Sequence, residues 1–202
     1  AVASVRDDEQ LRQTGTELRP LIGADAAQTA GWNGSGWSVA VIDSGFDTSH
    51  PTLRGKIAAE KCFRSCVNGA NLQTGAGSSQ SHCGSYFDHL VTAPSSSDCS
   101  HGTSVASVVT GATAPSQGVA GGAKLVLAKV GDETARANPR SASIAALDWV
   151  YSVRNTYKIA AVNMSFGSDA ETNCDAQDPT FTSIIASLHS AGVLPVAASG
   201  NE

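Results

Sequence analysis

The seven residues Val39-Ala-Val-Ile-Asp-Ser-Gly45 constrain the fold more than any other stretch. Four apolar residues in a row, bounded by Gly36-Trp37 and Gly45, leave no polar face for water. The predicted strand is therefore covered on both sides, as in a parallel sheet. Open α/β sheets keep ligands and catalytic groups at the carboxyl ends of their strands, which is where Asp43 falls. An aspartate after a strand also commonly hydrogen-bonds the following turn. This stretch alone leaves both readings open.

The remaining apolar runs extend the pattern. Ile22 to Gly31 reads as a short helix closed by glycine, and Lys56 to Phe63 as a second extended piece. Cys99 to Gly111 is made of small and β-branched residues, a composition suited to a helix buried on all sides. A turn at 118–122 leads to a strand over Lys124 to Val130, and Ser141 to Tyr157 carries Ile144, Leu147, Val150 and Tyr151 at helical spacing. A strand from Ile159 running into the turn at Gly167, a helix from Thr180 to Ser190 and a strand from Val193 to Ala198 complete the series. Strands alternating with helices predict a doubly wound, mostly parallel α/β sheet with helices on both faces. Residues 1–20 are polar and charged, and read as an arm or linker.

Charge and cysteine content narrow the function classes. A net charge of -5 with scattered Lys and Arg gives no footprint for nucleic acid or an anionic membrane. No apolar run is long enough to span a bilayer. Four of the five cysteines, Cys62, Cys66, Cys83 and Cys99, fall in a segment rich in Ser, Gly and Asn. Such a segment is poor in core residues and gains from covalent staples, which predicts disulfides and an oxidising, secreted setting. Cys62, Cys66, His82 and Cys83 also have tolerable zinc-ligand spacing, but without a recognisable finger or ribbon pattern. Local pairs, 62 with 66 and 83 with 99, are the simplest connectivity, and Cys174 is left over.

Three segments carry polar groups that a plain core does not need: Asp43-Ser-Gly, Ser100-His-Gly-Thr-Ser and Ala198-Ser-Gly-Asn. A histidine at a glycine-flanked helix start is placed to reach a neighbouring strand end, where a carboxylate fixes its tautomer. Singly, His101 also suits a helix cap and Asn201 a turn. His50, His82, His89 and His189 have no such company.

Together these segments resemble the subtilisin-like serine proteases, including their proteinase K-like secreted branch. Val41-Ile-Asp-Ser-Gly-Phe-Asp-Thr-Ser-His-Pro51 resembles the family's aspartate motif, and His101-Gly-Thr-Ser-Val-Ala106 its histidine motif. Val162-Asn-Met-Ser-Phe-Gly167 is similar to the strand that cradles substrate, and Ala197-Ala-Ser-Gly-Asn-Glu202 to the segment bearing the oxyanion asparagine. Four motifs in order are far more specific than one. The resemblance implies that Asp43 orients His101, that His101 is general base and then general acid, and that Asn201 donates to the oxyanion. It implies that Ser165, Phe166 and Gly167 line the strand that pairs with an extended polypeptide substrate. It also divides the chain into an arm over 1–20, conceivable as a propeptide remnant, and the N-terminal part of a subtilisin-like peptidase domain over 21–202. A cysteine-bearing insertion falls at about 58–99.

The nucleophilic serine follows the asparagine segment in this family, so it is expected beyond Glu202. The 202 residues would then be an inactive piece with an incomplete sheet. By the same resemblance Cys174 pairs with a downstream cysteine. Gly102-Thr-Ser-Val-Ala imitates the family's nucleophile motif, but Val108 stands in place of its proline and Ser104 lies one helical turn beyond His101, so Ser104 reads as helix packing. The chemistry implies no cofactor. A structural calcium is common in the family, yet Thr52 stands where its aspartate ligand falls, and no clear metal site is read. The expected partners are extended polypeptides, the protein's own propeptide and the C-terminal part of the domain expected beyond Glu202, with neither nucleic acid nor membrane. The competing function is a non-catalytic, protease-like module that grips extended peptides without cutting them.

Overall fold

The computed structural model of the protein describes residues 19–48, 50–63, 97–111, 118–131, 140–167 and 178–199. A short helix α1 (Ala24–Thr29) precedes strands β1 (Ser38–Asp43) and β2 (Ile57–Cys62). Helix α2 (Ser97–Thr110), β3 (Lys124–Lys129), α3 (Arg140–Val153), β4 (Ile159–Met164), α4 (Pro179–Ser190) and β5 (Leu194–Ala197) follow. The five strands form one sheet in the order β2-β3-β1-β4-β5, and every described pairing is parallel. The α/β architecture read from the sequence is therefore present, and its first strand lies at the centre.

Alternation along β1 shows why that strand needed apolar residues throughout. Ala40 and Ile42 pack with Val126, Ala128, Val162 and Met164 under α3 and α4, which supply Leu147, Val150, Ile184 and Leu188. Val41 points the other way, with Leu125 and Leu127, against Phe46, Leu53 and Ala106 beneath α2. Fully burying a side chain of this size contributes about 1.5–3 kcal/mol, so both faces favour the strand over an exposed alternative.

The two helical layers are reached by crossovers of opposite hand. From β2 to β3 the chain steps along the sheet in the same direction as from β3 to β4 and from β4 to β5. Yet α2 lies on one face, and α3 and α4 on the other. Steps in the same direction over opposite faces have opposite hands, and since parallel crossovers are right-handed in about 98% of cases, the β2–α2–β3 unit is the left-handed exception.

Several boundaries differ from the sequence reading, each for a local reason. Residues 19–21 form a helical turn rather than part of a free arm, because Arg19 pairs with Asp25 at 2.5 Å and donates to Gln28 at 3.1 Å. Helix α3 stops at Val153, short of Tyr157, as the chain turns through Lys158 with φ of 49° and the Ile159 N–H closes on the Arg154 carbonyl. Residues 58–63, placed in the expected insertion, belong to the sheet, since β2 continues to Cys62 and the Phe63 N–H donates to the Lys129 carbonyl; residues 64–96 lie outside the described ones. Helix α4 starts as its sequence requires: Asp178 accepts the Phe181 N–H at 3.0 Å and Pro179 fills the first turn, where its missing N–H costs nothing.

Cys62 is buried and disulfide-bonded, so its sulfur is not a free thiolate for zinc. Cys66, His82, Cys83 and Cys174 lie outside the described residues, as do the side chain of Cys99 and the expected pairings. Among the described residues, no helix is long and apolar enough to cross a membrane.

Candidate active site

All five strands point the same way, so Asp43, Cys62, Lys129, Met164 and Ala197 end at one edge of the sheet. Asp43 is 2% exposed. Its Oδ1 accepts the Ser44 N–H at 2.7 Å and the Ser44 hydroxyl at 3.2 Å, which locks the carboxylate in one orientation. The chain leaving β2 returns as α2 at this same edge, which brings His101 over the carboxylate. The His101 Nδ1–H donates to both oxygens, at 2.9 Å to Oδ1 and 3.0 Å to Oδ2. With Nδ1 committed, the Nε2 lone pair is the free basic position on the ring. The imidazole is 55% exposed on its side chain, so that position is open to an incoming group.

This approach depends on a residue with no side chain. A Cβ on Gly102 would stand 2.2 Å from the Gly45 carbonyl oxygen and 3.1 Å from both the Asp43 Cβ and the edge of Phe46. Next to it, the Asp47 N–H donates to the Thr103 hydroxyl at 2.8 Å, tying the loop after β1 to the helix. One turn further, Thr52 is buried and its hydroxyl lies 2.6 Å from His50 Nδ1 and 2.7 Å from the Ser107 hydroxyl. Thr52 therefore joins the loop to α2 through hydroxyl contacts. Ser104, expected to pack, is exposed instead, and among the described residues no hydrogen bond joins it to His101.

On the other flank, Met164 is in register with Ile42, so Ser165, Phe166 and Gly167 leave the sheet beside Asp43. Ser165 is half-buried and accepts a hydrogen bond from the Asn163 amide at 2.9 Å. Phe166 turns its ring to the core under α3 and α4, while Gly167 is exposed, with open space where a Cβ would stand. The Ala198 N–H donates to the Met164 carbonyl at 3.2 Å, so the segment after β5 departs from the same edge. Asn201 lies outside the described residues. Buried Lys129, in register with Asp43, donates to the Gly131 carbonyl at 2.6 Å and fixes the exit of β3.

A buried acid behind an imidazole, at the carboxyl edge of a parallel sheet, is an arrangement chemically able to accept a proton at the exposed ring nitrogen. The chain also matches the model of the subtilase family, Peptidase_S8, over residues 34–202. The chain belongs to the subtilases. The family accounts for serine peptidase activity in general terms and for the α/β sheet. The match takes in every described strand and both members of the Asp–His pair.

Some contributors were hidden from sequence reasoning. Ser44 acts on Asp43 through both its N–H and its hydroxyl, and the only signal was a short polar residue directly after a strand-end acid. Gly102 was visible as a flanking glycine, but its contact with Gly45 joins residues far apart in the chain. Asn163 was legible as the one amide interrupting the apolar run of β4.

Proposed function

We propose that this subtilase is a secreted serine endopeptidase in which Asp43, His101 and a serine downstream of Asn201 form the catalytic triad. The observation that carries this reading is the pairing of His101 Nδ1 with both oxygens of buried Asp43. In the proposed reaction, His101 Nε2 takes the serine proton as the oxygen attacks the scissile carbonyl. Asp43 holds the ring and offsets the imidazolium charge. The Asn201 amide donates to the tetrahedral oxyanion. His101 then returns the proton to the leaving amine, and water hydrolyses the acyl-enzyme by the same route in reverse. Ser165 to Gly167 bind the extended polypeptide as an added strand. The disulfide at Cys62 supports an oxidising compartment, with Cys66 as its simplest partner, Cys83 and Cys99 as a second local bridge, and Cys174 bridged to a cysteine further along the chain. The chemistry requires no cofactor.

A fluorophosphonate probe on the full-length folded protein tests the proposal. Labelling of one serine, lost in His101→Ala, is the expected result. A folded protein that takes no label but binds extended peptide is a non-catalytic module.

A further inference from the structure

Strand β4 contains one residue that its surroundings do not call for. Ile159, Val162 and Met164 are buried, whereas Asn163 presents an amide on the face shared with Val41 and Val196, its register partners on either side. A half-buried amide costs free energy unless it is hydrogen-bonded, and Asn163 stands between buried Val41 and exposed Val196. Asn163 spends its N–H on a side chain, the Ser165 hydroxyl, at 2.9 Å. Because the serine oxygen accepts that bond, its own proton must point elsewhere, and among the described residues that proton has no acceptor. Ser165 sits where β4 leaves the sheet beside Asp43, on the edge that carries His101.

We propose that Asn163 is a positioning residue: by donating to the Ser165 oxygen it turns the Ser165 O–H into a hydrogen-bond donor for a backbone carbonyl of a bound extended peptide. This rests on the reading of the cleft as a site for extended polypeptide. It assigns peptide affinity to a side-chain pair, in addition to the backbone pairing of Ser165 to Gly167. A donor that serves substrate and transition state equally acts on KM rather than on kcat.

The test uses the full-length protein and a terminally blocked hexa-alanine peptide, with Asn163→Leu, Ser165→Ala, the double variant and Ser165→Thr. Loss of one neutral hydrogen bond raises KM about three- to tenfold in Asn163→Leu and in Ser165→Ala. The double variant is then no worse than the poorer single, because both remove the same donor. Ser165→Thr, which keeps the hydroxyl, raises KM less than Ser165→Ala does. Thermal unfolding checks that each variant is folded. Should Asn163→Leu not fold, Asn163→Asp replaces it: its carboxylate accepts the serine proton, turns it away from the cleft and raises KM alike. Unchanged KM in a folded Asn163 variant, or losses that multiply in the double, overturn the inference. If the wild type does not cleave the peptide, the endopeptidase reading fails, and the same comparison is made on the calorimetric Kd. A wild type that neither cleaves nor binds the peptide overturns the inference as well.

Discussion

Gly102 stands so close to Gly45 that a single added Cβ would lie 2.2 Å from the Gly45 carbonyl oxygen. The start of α2 is seated on the loop after β1 with no room to spare, and the position of His101 against Asp43 follows from that seating. A bulkier residue has to push the helix off the strand end, because the obstacle is backbone and not a movable side chain.

Gly102→Ala is therefore expected to cost about 1–3 kcal/mol through overpacking, despite alanine's better helix propensity. The unfolding midpoint should fall by about 2–4 °C for each kcal/mol lost. For the proposed endopeptidase activity, kcat/KM should fall further than the same destabilisation placed elsewhere would cause. An alanine variant with wild-type stability and activity would show that the helix start is not fixed by this contact.

Asp43→Asn keeps the shape of the site but offers an amide where His101 Nδ1–H finds an acceptor today. The ring is then free to present the wrong tautomer, and kcat is expected to drop by about 10⁴ with little change in KM. Steady-state kinetics on the full-length protein measure this directly.

Thr52→Val removes a buried hydroxyl while preserving volume, leaving His50 Nδ1 and the Ser107 hydroxyl without the contact each now makes. A loss of about 1–3 kcal/mol is expected in chemical denaturation, and Thr52→Ser should recover most of it.

Asp178→Ala removes the cap of α4 and the 3.0 Å pairing with Arg140. The Arg140 side chain is largely exposed, so the ion pair adds little, and the expected cost of about 0.5–2 kcal/mol comes from the cap. Asp178→Asn should retain most of the stability. Because α4 covers the face of the sheet opposite to α2, kcat/KM should not change.

Strands β1 and β3 were readable because their sequences carry the signature of burial on both faces, as Val39 to Ile42 and Leu125 to Val130 demonstrate. The acid was readable because it sits at a strand end that offers a reason for a polar group; the histidine, expected at a helix start, lies in the second turn of α2 and was readable from the glycine beside it. Packing around α2 was less accessible. Its small residues suggested burial on every side, yet Ser104 and Val108 are exposed; among the described residues the helix packs mainly on β1 and β3. Thr52 gave no sign of its burial either, since its partner Ser107 lies on a helix that the local sequence does not bring near. Such facts depend on which face a helix takes, and residue pattern is silent about that.

The left-handed path of the β2–α2–β3 unit carries a consequence for how such a protein can diverge. Rewiring this crossover to the common hand would carry α2 to the opposite side of the sheet, and His101 would lose sight of Asp43 however well every side chain was preserved. Loops around the cleft can lengthen, shorten or gain cysteines without disturbing the acid–base pair, but the order in which the chain winds cannot be exchanged. In descent, this wiring is inherited whole or the pair is lost.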